Sequence, residues 1–171
     1  MARYLGPRIP AWVEATVEGW LGLTINREKT RIVRLTPKQR ECLDFLGYSF
    51  RFDWDRYGRG TRYFTAVPST NALTRTKGEL RELINGRRNY EPVPVLIARV
   101  NRKLRGWQNY FSFGRPRGAY RAMNAFVIAR LTHHLQRRSQ RAFRPPEDMS
   151  WYSFLTGPLG VRLLTMRAAP R

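Results

Sequence analysis

The chain has 171 residues, 32 Lys+Arg against 12 Asp+Glu, and a formal net charge of +20. Such an excess goes far beyond what solubility needs and opposes compaction unless an anionic partner balances it; nucleic acid is the first candidate and an acidic membrane surface the second. One cysteine, Cys42, excludes an internal disulfide and a cysteine-rich zinc site.

A chain of this length can bury roughly 70% of its unfolded surface, so a core without staples is expected. No run is long enough to span a bilayer and the N-terminus lacks the apolar core of a secretion signal, which points to a cytoplasmic protein with no membrane partner. The charge is lopsided: residues 1–67 carry net +5 and residues 68–171 carry net +15. The second half is therefore the binding half. Only four of the 32 basic residues are Lys; Arg suits bidentate phosphate contacts and stacking on bases.

In chain order, Gly6 and Pro7 leave residues 1–9 without an early element. Pro10 can open a helix at no cost, with Val13, Val17 and Trp20 or Leu21 inward, ending near Gly22. Asn26 marks a turn, and Thr30–Leu35 reads as a strand that Pro37 ends. Leu43–Phe52 and Thr61–Val67 are aromatic and β-branched runs around Gly58 and Gly60, which predicts an antiparallel hairpin with both glycines in its loop. Pro68 and Ser69 mark a change from strand to helix.

Ser69 or Asn71 can cap a helix reaching about Ile84, with Leu73, Leu80, Leu83 and Ile84 inward. Gly78 weakens it by roughly 1 kcal/mol relative to Ala. A Gly-, Asn- and Pro-rich loop, 85–94, leads to the stretch on which the chain turns. There Ile97, Val100, Leu104, Trp107 and Phe111 recur at steps of three and four and form one apolar stripe. Arg99, Arg102, Lys103 and Arg105 fall mostly off that stripe, and the sequence has no acid between Glu91 and Glu147. After Gly114–Gly118 a third helix carries Tyr120, Met123, Val127, Leu131 and His134 inward, with Arg121, Arg130, Arg137, Arg138 and Arg141 supplying charge. Pro145-Pro146 ends this bundle. The tail, with its cluster Trp151–Leu155, either folds back on the bundle or docks on a partner.

The fold class predicted is α+β: a small antiparallel β-rich part over 1–67, a basic three-helix bundle over 68–144, and a tail over 145–171 of open packing. Three stretches, Leu21–Val33, Leu43–Tyr48 and Leu104–Phe111, resemble in order and spacing the last palm segments and the thumb, or maturase-specific domain, of group II intron reverse transcriptases. The resemblance runs from about Glu14 to about Arg141. It implies that Lys29, in Asn-Arg-Glu-Lys-Thr, assists departing pyrophosphate, that Phe45, Leu46 and Gly47 form the turn holding the primer end, and that the helical part grips a template–primer or intron RNA.

The family's catalytic aspartates lie in an earlier strand and a Tyr-Ala-Asp-Asp type hairpin, and this sequence contains neither. Two-metal phosphoryl transfer needs carboxylates fixed together on strands. On its own the chain is thus expected to bind no cofactor and to polymerise nothing, with Mg2+ relevant only where a partner supplies the aspartates. It reads as a fragment, as one half of a split RNA-directed DNA polymerase awaiting its upstream reverse transcriptase half, or as an RNA-binding remnant. A generic basic nucleic-acid-binding protein is the third alternative.

The remaining polar residues have plain readings. Asp53 and Asp55 beside Arg56, Arg59 and Arg62 suggest local ion pairs rather than a metal site, and Asp44 stands apart. His133 and His134 are adjacent on a helix, about 100° apart, so they cannot share a metal as an i, i+4 pair would; His134 belongs at the core edge and His133 on the surface. Cys42 reads as a small buried residue, Trp107 as core, and Gly106 as a site of close helix approach. The RNA-binding set is Arg99, Arg102, Lys103, Arg105, Arg115, Arg117, Arg121, Arg137 and Arg138, gathered on one open side. Tyr57, Tyr63, Tyr110 and Tyr120 are candidates for stacking on unpaired bases. The partner implied is structured intron RNA or an RNA–DNA hybrid.

Overall fold

The computed structural model describes residues 8–30, 33–37, 41–55, 58–138 and 144–166. The chain divides into two units, Met1–Arg34 and Leu35–Arg171. In the first, helix α1 (Arg8–Glu14) passes into a π-helical turn, Ala15–Trp20, whose end is marked by a bond from Leu21 N to Thr16 O at 3.0 Å. Its expected inner face is not buried: Val17 is half-buried, while Val13, Trp20 and Leu21 are exposed. Among the described residues of this unit no other helix or strand is present for it to pack against. Asn26 does make a turn, accepting from Lys29 N through Oδ1 at 3.1 Å. The strand expected over 30–35 is absent at Thr30 and 33–35; Arg31 and Ile32 lie outside the described residues. Among the described residues of the unit, no neighbouring strand offers that segment a ladder.

The second unit is α+β. Strands β1 (Cys42–Phe45), β2 (Tyr48–Trp54) and β3 (Arg62–Pro68) form an antiparallel sheet in the order β1-β2-β3. The β2–β3 register runs from Tyr48 opposite Pro68 to Trp54 opposite Arg62, and Gly58 and Gly60 sit in the loop with φ of 71° and 64°. The run expected as one strand over 43–52 is broken by a two-residue turn. Leu46 and Gly47 there have φ of 48° and 77°, the doubly positive geometry that matches strand twist in a tight hairpin. A branched side chain is rare in that conformation. Tyr110 Oη, donating to the Leu46 carbonyl at 2.7 Å, and Ser69 N, donating to the Gly47 carbonyl at 2.8 Å, hold the turn from outside.

Helix α2 (Thr70–Leu83) begins where Ser69 Oγ accepts from Ala72 N at 3.2 Å. Helix α3 (Val93–Tyr110) follows Pro92, and α4 (Arg117–Gln136) follows Pro116; proline's fixed φ suits a first turn whose N–H groups have no partner within the helix. All five residues of the α3 stripe are buried, as are Tyr120, Met123, Val127, Leu131 and His134 of α4. The change from strand to helix at Pro68 and Ser69 falls inside this unit, because the sheet packs on the end of α3. A chain of rings joins them: Tyr48 lies 5.0 Å from Phe111, Phe111 4.7 Å from Trp107, and Trp107 5.8 Å from Tyr120.

The tail folds back on the bundle. Helix α5 (Trp151–Thr156) and the extended segment after it bury Leu155, Val161 and Leu164 in the same core. Asn101 of α3 donates to Gly160 O at 2.8 Å and accepts from Arg162 N at 2.9 Å. Asn124 of α4 does the same with both polar groups of Leu164, at 3.0 and 2.9 Å. Each amide thus pairs with the segment as a neighbouring strand would, and Gln108 adds a bond to Thr165 O at 2.7 Å.

Replacing Asn124 by Ala removes two hydrogen bonds and leaves Leu164 groups unpaired, a loss of about 2–4 kcal/mol at about 1–2 kcal/mol per group. Chemical denaturation of the variant measures it; a loss below about 0.5 kcal/mol would mean that water replaces the amide. Glycines supply a second test. A Cβ at Gly78 meets nothing within 4 Å, whereas at Gly114, with φ of 75°, it collides with the Ala66 carbonyl. Gly78→Ala is expected to raise stability by up to about 1 kcal/mol, and Gly114→Ala to lower the melting temperature.

Candidate nucleic-acid interface

Residues of α2, α3 and the Leu46-Gly47 turn enclose a groove of about 940 Å³. Asn71, Arg75 and Glu79 line it from α2, and Arg99, Arg102, Lys103, Gly106 and Tyr110 from α3, with the turn at its foot. Leu46 is 67% exposed there. Gly106 is not a point of close helix approach: its Cβ position has no heavy atom within 4 Å, so it keeps the groove open.

Of the nine expected cations, Arg99, Arg102 and Lys103 line the groove, and two of these three meet acids. Arg99 Nη1 lies 2.9 Å from Glu91 Oε1, and Lys103 pairs with Glu79, which also lies 3.7 Å from Arg75. The run without acids is a fact of sequence only; the packing of α2 beside α3 and the preceding loop bring Glu79 and Glu91 back. Arg102 has no carboxylate partner among the described residues. Arg105, four residues from Asn101, falls on the tail edge of α3, and Arg121, three from Asn124, on the tail edge of α4. Arg115 lies 3.9 Å over the Tyr63 ring beside β3, and Arg117 opens α4. Arg137 ends α4, and Arg138 donates to the Glu91 carbonyl.

The tyrosines divide likewise. Tyr110 is exposed at the groove, its hydroxyl on Leu46. Tyr63 is covered by Arg115. Tyr120 is no platform for a base: it is buried, donates to the Phe111 carbonyl at 3.0 Å, and burial raises its hydroxyl pKa. Tyr57 and Arg141 lie outside the described residues. Lys29 sits exposed in the Asn26 turn of the first unit.

Acidic residues take local partners. Asp53 lies 2.9 Å from Arg51, Asp55 3.8 Å from Arg59, and Asp44 accepts from Ser49. Among the described residues no group of three or more His, Cys, Asp or Glu is placed to hold a metal ion. Cys42 is exposed rather than buried, because it opens β1 at the edge of the sheet. No helix among the described residues is long and apolar enough to cross a membrane. His134 is buried and His133 exposed.

Comparison with known proteins adds one finding to this geometry. Residues 73–146 match the family model of the group II intron, maturase-specific domain. The matched residues span most of α2 and all of α3 and α4. The match begins after the Leu46-Gly47 turn and ends before α5. No curated protein matches the chain.

Burial lowers the pKa of His134 below its ordinary 6.5, and Arg138, Arg130 and His133 lower it further. The folded state thus favours the neutral ring, so its contribution is complete above pH 6.5 and is lost as pH falls below that value. Melting temperature should drop between pH 7 and 5, more steeply than in His134→Phe, which cannot take the proton. Parallel curves for the two proteins would refute the assignment.

Proposed function

We propose that the chain binds structured intron RNA through its maturase-specific domain, recognising shape and backbone charge, and thereby helps the intron fold and splice. The observation that carries this reading is the open α2–α3 groove with Arg102 unpaired in its wall, in a domain that matches the maturase model. The groove reaches neutralised cations as well: a phosphate can displace Glu79 from Lys103, because exposed ion pairs are worth little. In this reading the chain acts as a binding component and carries no polymerase aspartates.

A second reading follows from the position of the Leu46-Gly47 turn at the foot of the same groove. There Phe45, Leu46 and Gly47 hold a primer end, the groove holds an RNA–DNA hybrid, and another chain supplies the aspartates and Mg2+; for Lys29, in the first unit, this reading keeps only the auxiliary role that the family resemblance implies. Primer extension that appears only on adding a co-purified partner supports this second reading.

The RNA reading is tested by competing a structured group II intron RNA against bulk transfer RNA at about 0.15 M salt. Preference for the intron RNA is expected; equal affinities would overturn the maturase reading. Arg102→Glu should weaken binding roughly tenfold with an unchanged melting temperature. It should also flatten the dependence of log affinity on log salt by about 0.7–0.9, the value for a single phosphate.

A further inference from the structure

The cations singled out along α3 are partly answered by Glu79 and Glu91. A different set is not. Lys77 and Arg81 stand one turn apart on α2, and Phe126, Arg130 and His133, spaced i, i+4, i+7, share one edge of α4. Lys77 Nζ lies 5.5 Å and Arg81 Cζ 5.1 Å from the centre of the Phe126 ring, which fixes both over the seam where the two helices meet.

Neither helix turns a carboxylate toward this seam. Helix α4 contains no Asp or Glu, and α2 contains Glu79 and Glu82. Glu79 is engaged on the groove side by Arg75 and Lys103. Glu82 follows Arg81 directly and so points about 100° away around the helix. Among the described residues no ion pair reaches Lys77, Arg81 or Arg130. Arg130 Nε is in addition buried without a hydrogen-bond partner. Like charges one turn apart repel, and the face of one phenylalanine offsets only part of that. A polyanion laid along the seam would supply what the chain withholds.

We propose that the α2–α4 seam is a second RNA contact surface, separate from the α2–α3 groove, in which Lys77, Arg81 and Arg130 hold backbone phosphates. It rests on the RNA-binding reading given above. Two surfaces separated by the body of α2 let one domain touch two segments of a folded RNA.

The full chain carrying Lys77→Gln and Arg81→Gln is compared with the parent for binding of a structured group II intron RNA, across about 0.05 to 0.2 M salt. Affinity should fall roughly tenfold, and the salt dependence should flatten by about 1.4 to 1.8, twice the value for one phosphate. Ala122→Glu is the second variant. Its position is exposed, one turn before Phe126, and it deletes no native interaction while placing a carboxylate on the seam; it should weaken binding also. If the double variant fails to fold, this one decides. Parental affinity and slope in the folded variants overturn the seam while leaving the groove intact. A parent chain that does not distinguish intron RNA from transfer RNA overturns the RNA reading itself.

Discussion

The apolar stripes of α3 and α4 face a core that the three long helices do not close by themselves. Leu155, Val161 and Leu164 complete it, and they belong to a segment with little regular structure of its own. Such a segment brings backbone N–H and C=O groups against a buried surface, where each must find a partner. Asn101 and Asn124 provide them, each amide offering one donor and one acceptor in the arrangement a peptide group has. The rest of the second unit depends on this substitution of side-chain amides for a missing strand. It lets an extended peptide lie on two helices without leaving polar groups unpaired.

The same core sets the electrostatics. Because α3 buries the stripe from Leu96 to Trp107, its cations must emerge on the flanks. One flank meets α2 and its Glu79; the other meets the tail. Helix α4, without an acid, can borrow none from its own length. Charge on this molecule is therefore divided by packing rather than by sequence position, and of the cations crowded along α3 Arg99 and Lys103 meet acids while Arg102 does not.

Much of the fold was legible because its signals are local. A period of 3.6 shows in Ile97, Val100, Leu104 and Trp107, a cap shows in Ser69, and Gly58 with Gly60 marks the hairpin loop. The break between β1 and β2 was hidden, since a leucine at a positive φ carries no turn signature; only the family resemblance named Phe45-Leu46-Gly47 as a turn. The tail was hidden for another reason. Its partners Asn101 and Asn124 lie 59 and 40 residues from the backbone they bind, and an asparagine inside a helix does not announce what it will hold. At the candidate interface the cations could be named from the residues alone, but their neighbours could not. Glu79 and Glu91 reach α3 only through folding, and Lys77 and Arg81 gain their meaning from Phe126 on another helix.

The segment that seals the core is also made after every long helix that it covers. Residues up to Gln136 can emerge and coil into helices while the pocket for Leu155, Val161 and Leu164 is still empty. Until Leu164 is free of the exit tunnel, the nascent chain exposes an apolar cleft beside a strongly cationic surface. The intermediate thus stays sticky and positively charged until Leu155, Val161 and Leu164 have docked.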